Sequence, residues 1–124
     1  MIDHSGFHVS DIEKSKAFYE KALAPLGYAV ISEFPEWKVV GLGVGGKSDF
    51  WLVGDGADHP NHIAFAAASK EVVDAFYTAG IANGGTDNGA PGYRQNYTAG
   101  YYAAFVKDVD GHNVEAVFHD PNPS

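Results

Sequence analysis

The chain repeats itself. A shift of 58 positions, with no gap, lays His4 on His62, Phe7 on Phe65 and Glu13 on Glu71. The same shift lays Ala17, Phe18 and Tyr19 on Ala75, Phe76 and Tyr77, and Gly27 on Gly85. A strand histidine, a helical aromatic pair and a terminal glycine recurring together mark an internal duplication. The second copy then carries an extra Gly- and Pro-rich loop, Gly85–Gly92. Past that loop a looser alignment, at a shift of 64, pairs Trp37 with Tyr101, Val39 with Ala103 and Trp51 with Glu115.

Each copy reads as a strand, a helix and three strands. Ile2–Val9 alternates, with Phe7 and Val9 on one face and His4, Gly6 and His8 on the other. Ser10 or Asp11 suits a helix N-cap, and Ile12, Phe18, Tyr19, Ala22, Leu23 and Leu26 form one face of a helix over Ile12–Leu26. Gly27 closes it. Strands follow at Ala29–Phe34, Lys38–Val44 and Asp49–Val53, with Gly45 and Gly46 in a turn and Gly54–Asn61 as a linker. The second copy ends in two apolar strands, Tyr101–Val106 and Asn113–Phe118, joined by a tight acidic turn, Lys107–Gly111. The pattern predicts one α+β domain over residues 1–124, with module one at about 1–56 and module two at about 60–120. In each module one sheet face packs on the helix through Phe7 and Val9, or Ile63, Phe65 and Ala67. The other face curls around a shared cavity, into which His4, His8 and His62 point.

Composition narrows the function. A net charge of −8 argues against a nucleic-acid or anionic-membrane partner. With no cysteine, thiolate chemistry and disulfides are excluded. No basic-then-apolar leader opens the chain and no apolar run approaches membrane-spanning length, so a soluble cytoplasmic protein is expected.

Glu115 lies among Val114, Ala116 and Val117, where an ionised carboxylate needs a metal ion or a cationic partner. Of the six histidines, His59, His112 and His119 fall in a linker, a turn and a chain end, and read as polar surface. His8 shares the face of His4 and lines the cavity or sits half-exposed on its strand. His4 and His62 are pseudo-equivalent under the repeat and can converge between the modules. With Glu115 they form two imidazoles and a carboxylate, a set suited to a divalent ion with positions left for substrate. The competing reading is an empty polar cavity with Glu115 paired to Arg94. Arg94 in turn could clamp a substrate carboxylate or phosphate, or serve a purely structural loop. Tyr97, Tyr101, Trp51 and Phe105 would supply an aromatic wall.

Three segments carry a resemblance. DHSGFHVSDIEKSKAFYEKALAPLG, NHIAFAAASKEVVDAFYTAG and FVKDVDGHNVEAV are similar to the two opening segments and the closing F-x-x-DPDG-x-x-x-E segment of the vicinal oxygen chelate superfamily, with Val109 where Pro is usual. That superfamily includes glyoxalase I, bleomycin-resistance proteins, fosfomycin-resistance transferases and extradiol dioxygenases. The resemblance implies two βαβββ modules forming a half-barrel around a shared cavity that holds one divalent ion (Fe, Mn, Zn or Ni). It places the ligands on His4, His62 and Glu115, and a fourth family position near Trp51. Tryptophan cannot coordinate, which argues against glyoxalase I activity itself. The His–His–Glu set matches extradiol dioxygenases and fosfomycin-resistance transferases instead. Phe105 stands where those enzymes carry a Tyr or His, with Tyr101, Tyr97, Arg94 and His8 as replacements. The resemblance thus implies a metal-dependent enzyme on a small oxygenated molecule, with Glu115, His8 and Tyr101 catalytic and Arg94, Tyr97, Trp51 and Phe105 at the substrate. It also implies a homodimer. The alternative is a metal-free small-molecule-binding protein of the bleomycin-resistance type.

Overall fold

A computed structural model describes residues 1–57 and 59–123. Module one runs β1 (Ser5–His8), α1 (Ile12–Ala22), β2 (Ala29–Phe34), β3 (Val39–Val44) and β4 (Lys47–Val53). Module two runs β5 (His62–Ala66), α2 (Lys70–Ala82), two short strands β6 (Thr86–Asp87) and β7 (Gly92–Tyr93), then β8 (Tyr101–Lys107) and β9 (Asn113–His119). The fold is a mixed α+β pair of βαβββ modules. Their sheets are ordered β1-β4-β3-β2 and β5-β9-β8-β6, with β7 also on β8.

Local chemistry sets the element ends. Asp11 caps α1 by accepting from the Lys14 amide, and Ser69 caps α2 by accepting from the Val72 amide. α1 stops at Ala22, short of the helical pattern, because Pro25 has no N–H to continue the ladder. Ala24–Leu26 tightens into a 3₁₀ turn that Gly27 closes at φ 89°. β1 is also shorter than its alternation. Its parallel pairing with β4 begins at Ser5–Phe50, just past a register shift at Asp49. The Gly85–Gly92 loop is not bare: it carries β6, and β7 begins at its end, so two short antiparallel pieces on β8 stand where module one has β2.

The register obeys the repeat to the residue. Gly6 pairs with Trp51 and Trp51 with Gly41, while Ala64 pairs with Glu115 and Glu115 with Phe105. These are the mates expected from shifts of 58 and 64, so Trp51 and Glu115 occupy equivalent places on the two sheets.

One apolar core serves both modules. Phe50 meets Phe7 and Phe65 edge-on, at centroid distances of 5.4 and 5.3 Å, and so joins the two first strands. The acidic β8–β9 turn folds back onto module one. Asp108, 4% exposed, accepts from the Tyr19 hydroxyl and from the amides of Asp110 and His112. Asp110 accepts from Ser10. Burial, then the neighbouring carboxylate, pushes the Tyr19 hydroxyl well above its ordinary range, so it stays protonated and donates.

His112 corrects its sequence reading. It is 1% exposed, its ring stacked on Phe7 at 4.3 Å. Its Nδ1 accepts from the Asn61 amide and its Nε2 donates to the His8 carbonyl, each at 2.9 Å. A turn position looked solvated in sequence because nothing local showed that module one would cover it.

Replacing Tyr19 by Phe removes a donor from a buried carboxylate while keeping the ring. The expected loss is about 1.5–3 kcal/mol in urea unfolding with an unchanged slope. A loss under about 0.5 kcal/mol would show that the turn is not anchored through this bond.

Candidate functional site

Glu115 lies mid-strand on β9, flanked by Ala64 on β5 and Phe105 on β8, and is 2% exposed. Its side chain shares the sheet face opposite the helices with Tyr101, Ala103, Phe105 and Val117. An ionised carboxylate there requires partners. The Tyr101 hydroxyl donates to Oε2, and His62 Nε2 stands 3.1 Å from Oε1. Burial, followed by the Glu115 carboxylate, pushes the Tyr101 hydroxyl up to about 12. It therefore holds its proton at neutral pH and keeps Oε2 occupied.

The proton on His62 can be placed. Nδ1 lies 3.0 Å from the Asn113 carbonyl, which can only accept, so Nδ1 is the N–H. Nε2 then faces the Glu115 oxygen with either a second proton or a bare lone pair. His4 repeats the pattern: its Nδ1 bonds the Asp3 carboxylate at 2.8 Å, leaving Nε2 outward. Tying Nδ1 to an oxygen is the usual way of presenting Nε2 to a metal.

The chain unites two of the three expected ligands. His62 and Glu115 meet, but His4 lies ahead of β1, and among the described residues no three His, Asp or Glu side chains converge to hold an ion. His4 and His62 do border one cavity of about 450 Å³ at the seam between β1 and β5.

The other candidates divide by module. On module one His8 binds Asp55, 2.6 Å from Nδ1, and lines an open hollow of about 520 Å³ with His4, Gly6, Trp51 and Val53. The indole of Trp51 lies over Gly41, where an added Cβ would come within 2.7 Å of the ring. Gly41 is the repeat mate of Phe105, so a flat indole fills the region that a carboxylate and a phenyl share in module two. On module two Arg94 does not pair with Glu115. Its guanidinium donates to the carbonyls of Ala90 and Gly92 and lies 5.4 Å from the Phe105 ring centre. Tyr97 is exposed and packs edge-on against Tyr101 at 5.1 Å.

Sequence reasoning missed Asp55, hidden in a stretch that reads as a linker, and Tyr28, which lines the seam cavity with Asp49 and whose hydroxyl is pushed up by burial and then by the Asp49 carboxylate. The Gly-Asp-Gly around Asp55 was a signal for a turn ending against a strand. No signal marked the register shift that frees Asp49.

The sequence pattern of the Glyoxalase/Bleomycin resistance protein/Dioxygenase superfamily matches residues 1–116. The chain belongs to that superfamily. Uncharacterized protein YqjT of Bacillus subtilis (strain 168) is 33% identical over 138 aligned positions, covering 94% of this chain and 97% of that protein. A glyoxalase/bleomycin resistance protein from Albidiferax ferrireducens T118 superposes with a TM-score of 0.77 at 32% identity, over 93% of this chain and 95% of that one. Lactoylglutathione lyase from Agrobacterium tumefaciens shares the fold at a TM-score of 0.70 and 20% identity, over 95% and 92% of the two chains. Among the described residues of this superfamily member, no helix is long and apolar enough to cross a membrane.

Within this superfamily member, Arg94 staples its own loop. Arg94→Lys keeps the charge but loses the planar fork that spans two carbonyls. Amide exchange at residues 89–98 should quicken by about tenfold, a local loss of about 1.4 kcal/mol, with global unfolding little changed. Unchanged exchange would mean that the loop holds without the guanidinium.

Proposed function

We propose that this protein is a metal-dependent enzyme acting on a small oxygenated molecule, with a divalent ion held by His62, Glu115 and His4. One observation carries the reading. His62 spends its Nδ1–H on Asn113 and turns Nε2 toward Glu115 Oε1 at 3.1 Å. Two electron-pair donors facing each other at that distance are stable only with a proton or a cation between them, and the donor set suits a borderline divalent metal. Such an ion would supply Lewis acidity toward adjacent oxygens of a substrate.

The chain's own residues would do the rest. Tyr101 fixes the Glu115 carboxylate through Oε2 and leaves Oε1 free. Ala103, Phe105 and Val117 give a dry floor beside it. Arg94 spends two donors on its loop and retains others for an anionic group of the substrate. Tyr97 would close the mouth, and His8 and Trp51 would line the opposing wall.

His4 stands apart from His62 and Glu115 within one chain, so a second copy is the natural source of the missing imidazole. A two-fold dimer setting module one of each chain against module two of the other would supply it. The exposed pair of Phe34 and Trp37, 5.6 Å apart beside β2, would gain cover in such an assembly. Trp51, lying where a fourth ligand would stand, argues against glyoxalase I chemistry.

A metal-free binding protein is the second reading. It is favoured by the fact that Tyr101 and a doubly protonated His62 would by themselves satisfy Glu115. Calorimetric titration of chelator-treated protein with Mn²⁺ or Zn²⁺ separates the two. The metal reading expects one ion per chain, with His62→Ala and Glu115→Gln each weakening binding at least about a hundredfold. His4→Ala should weaken it as well, and His59→Ala and His119→Ala should not. No binding, or binding lost only in the last two variants, refutes it.

A further inference from the structure

The repeat should produce two equivalent seams, each where the first strand of one module meets the last hairpin of the other. One seam is plugged. His112 stacks on Phe7, accepts from the Asn61 amide and donates to the His8 carbonyl. The repeat mates of those three partners are Phe65, Asp3 and Ala66. They line the second seam, where Tyr28 meets Phe65 edge-on but, among the described residues, no ring stacks face to face on it as His112 does on Phe7. Gly43–Ser48 pairing matches Lys107–Asn113 pairing, which makes Lys47 the register mate of His112. Lys47 turns outward, its ammonium 3.4 Å from the Asp3 carboxylate. The space His112 fills on one side is, on the other, the cavity of about 450 Å³.

That cavity has a polar feature its twin lacks. Asp49 is the extra residue at the β3–β4 register shift and has no counterpart in module two. It lines the cavity, and its Oδ1 is fully buried with no hydrogen-bond partner among the described residues. A buried carboxylate oxygen without a donor is costly, and a ligand N–H placed there removes that cost. The Tyr28 hydroxyl, pushed up by burial and then by the Asp49 carboxylate, lies beside it without satisfying Oδ1, and Tyr28 and Phe50 each meet Phe65 edge-on to form an aromatic wall. The chain's charge of −8 favours a cation over an anion.

We propose that this open seam binds a planar, positively charged nitrogen group on an aromatic or azole body, seated against Phe65 with its N–H directed at Asp49 Oδ1. The chain's own His112 is the template for the fit. The site touches His4 and His62 at its rim but needs no ion at Glu115, so it stands or falls separately from the enzymatic reading.

Benzamidine is a suitable probe, carrying a planar cation on a phenyl ring. Chelator-treated protein is titrated by calorimetry, with Tyr28 and Phe65 ring signals followed by NMR. We expect one site per chain, perturbed Tyr28 and Phe65 signals, and at least about tenfold weaker binding of benzoate and benzyl alcohol. Asp49→Asn should weaken benzamidine at least about tenfold, and Tyr28→Phe by less, while Glu115→Gln leaves it unaltered. The NMR shifts in the wild type keep the test decisive if Asp49→Asn disturbs the bulge. The proposal is overturned by no binding at tens of millimolar (a concentration of about 2.4 kcal/mol in affinity). Equal binding of benzoate, loss in Glu115→Gln with retention in Asp49→Asn, or unmoved Tyr28 and Phe65 signals would overturn it too.

Discussion

The Tyr101 hydroxyl bound to the Glu115 carboxylate is the interaction on which the rest of module two is arranged. A carboxylate at 2% exposure in the middle strand of a sheet is tolerable only if its oxygens are individually satisfied. Tyr101 takes one, and its raised pKa keeps it a donor. The other oxygen is left to His62. The wider composition explains the choice of tyrosine. Sixteen Asp and Glu face only eight Lys and Arg, and Tyr19, Tyr93, Tyr101 and Tyr102 each donate to a carboxylate. Acids held by hydroxyls keep their charge uncancelled, which is what a cation site requires.

The duplication builds the scaffold, and its departures from symmetry build the chemistry. Glu115 and Trp51 hold equivalent places, as do Phe105 and Gly41. One face thus carries a buried acid over a phenyl ring, and the other carries an indole over a glycine. At the seams His112 and Lys47 are mates, and one fills its gap while the other leaves it open. Symmetry supplies the place, and a single exchanged side chain decides whether that place is packing or site.

Much of this was legible from residues. The 58-position repeat marks two strand–helix units, because duplicated aromatic spacing survives in sequence. Glu115 was conspicuous for the same reason that it is costly: a charge within an apolar strand. Three features were not legible. Burial of His112 depends on a long-range fold-back of the β8–β9 turn, which no local pattern encodes. The register shift at Asp49 changes which residue faces the seam without changing any residue type. The separation of His4 from His62 and Glu115 depends on how two edge strands approach each other, and equivalence under a repeat does not determine a distance. Arg94 illustrates a different limit. Its loop reads as an insertion, yet carbonyls at Ala90 and Gly92 claim two of its donors.

The central claim is that His62, its Nδ1 proton held by the Asn113 carbonyl, turns Nε2 toward Glu115 as a place for a divalent ion. Two-dimensional ¹⁵N NMR of the imidazole rings reads it directly, in chelated protein at neutral pH and again with Zn²⁺ added. The account predicts that Nδ1 keeps its proton in both samples and that the Nε2 resonance moves when Zn²⁺ takes the place between Nε2 and Glu115. An imidazolium paired with Glu115 and indifferent to Zn²⁺, or a proton resident on Nε2 alone, would contradict it.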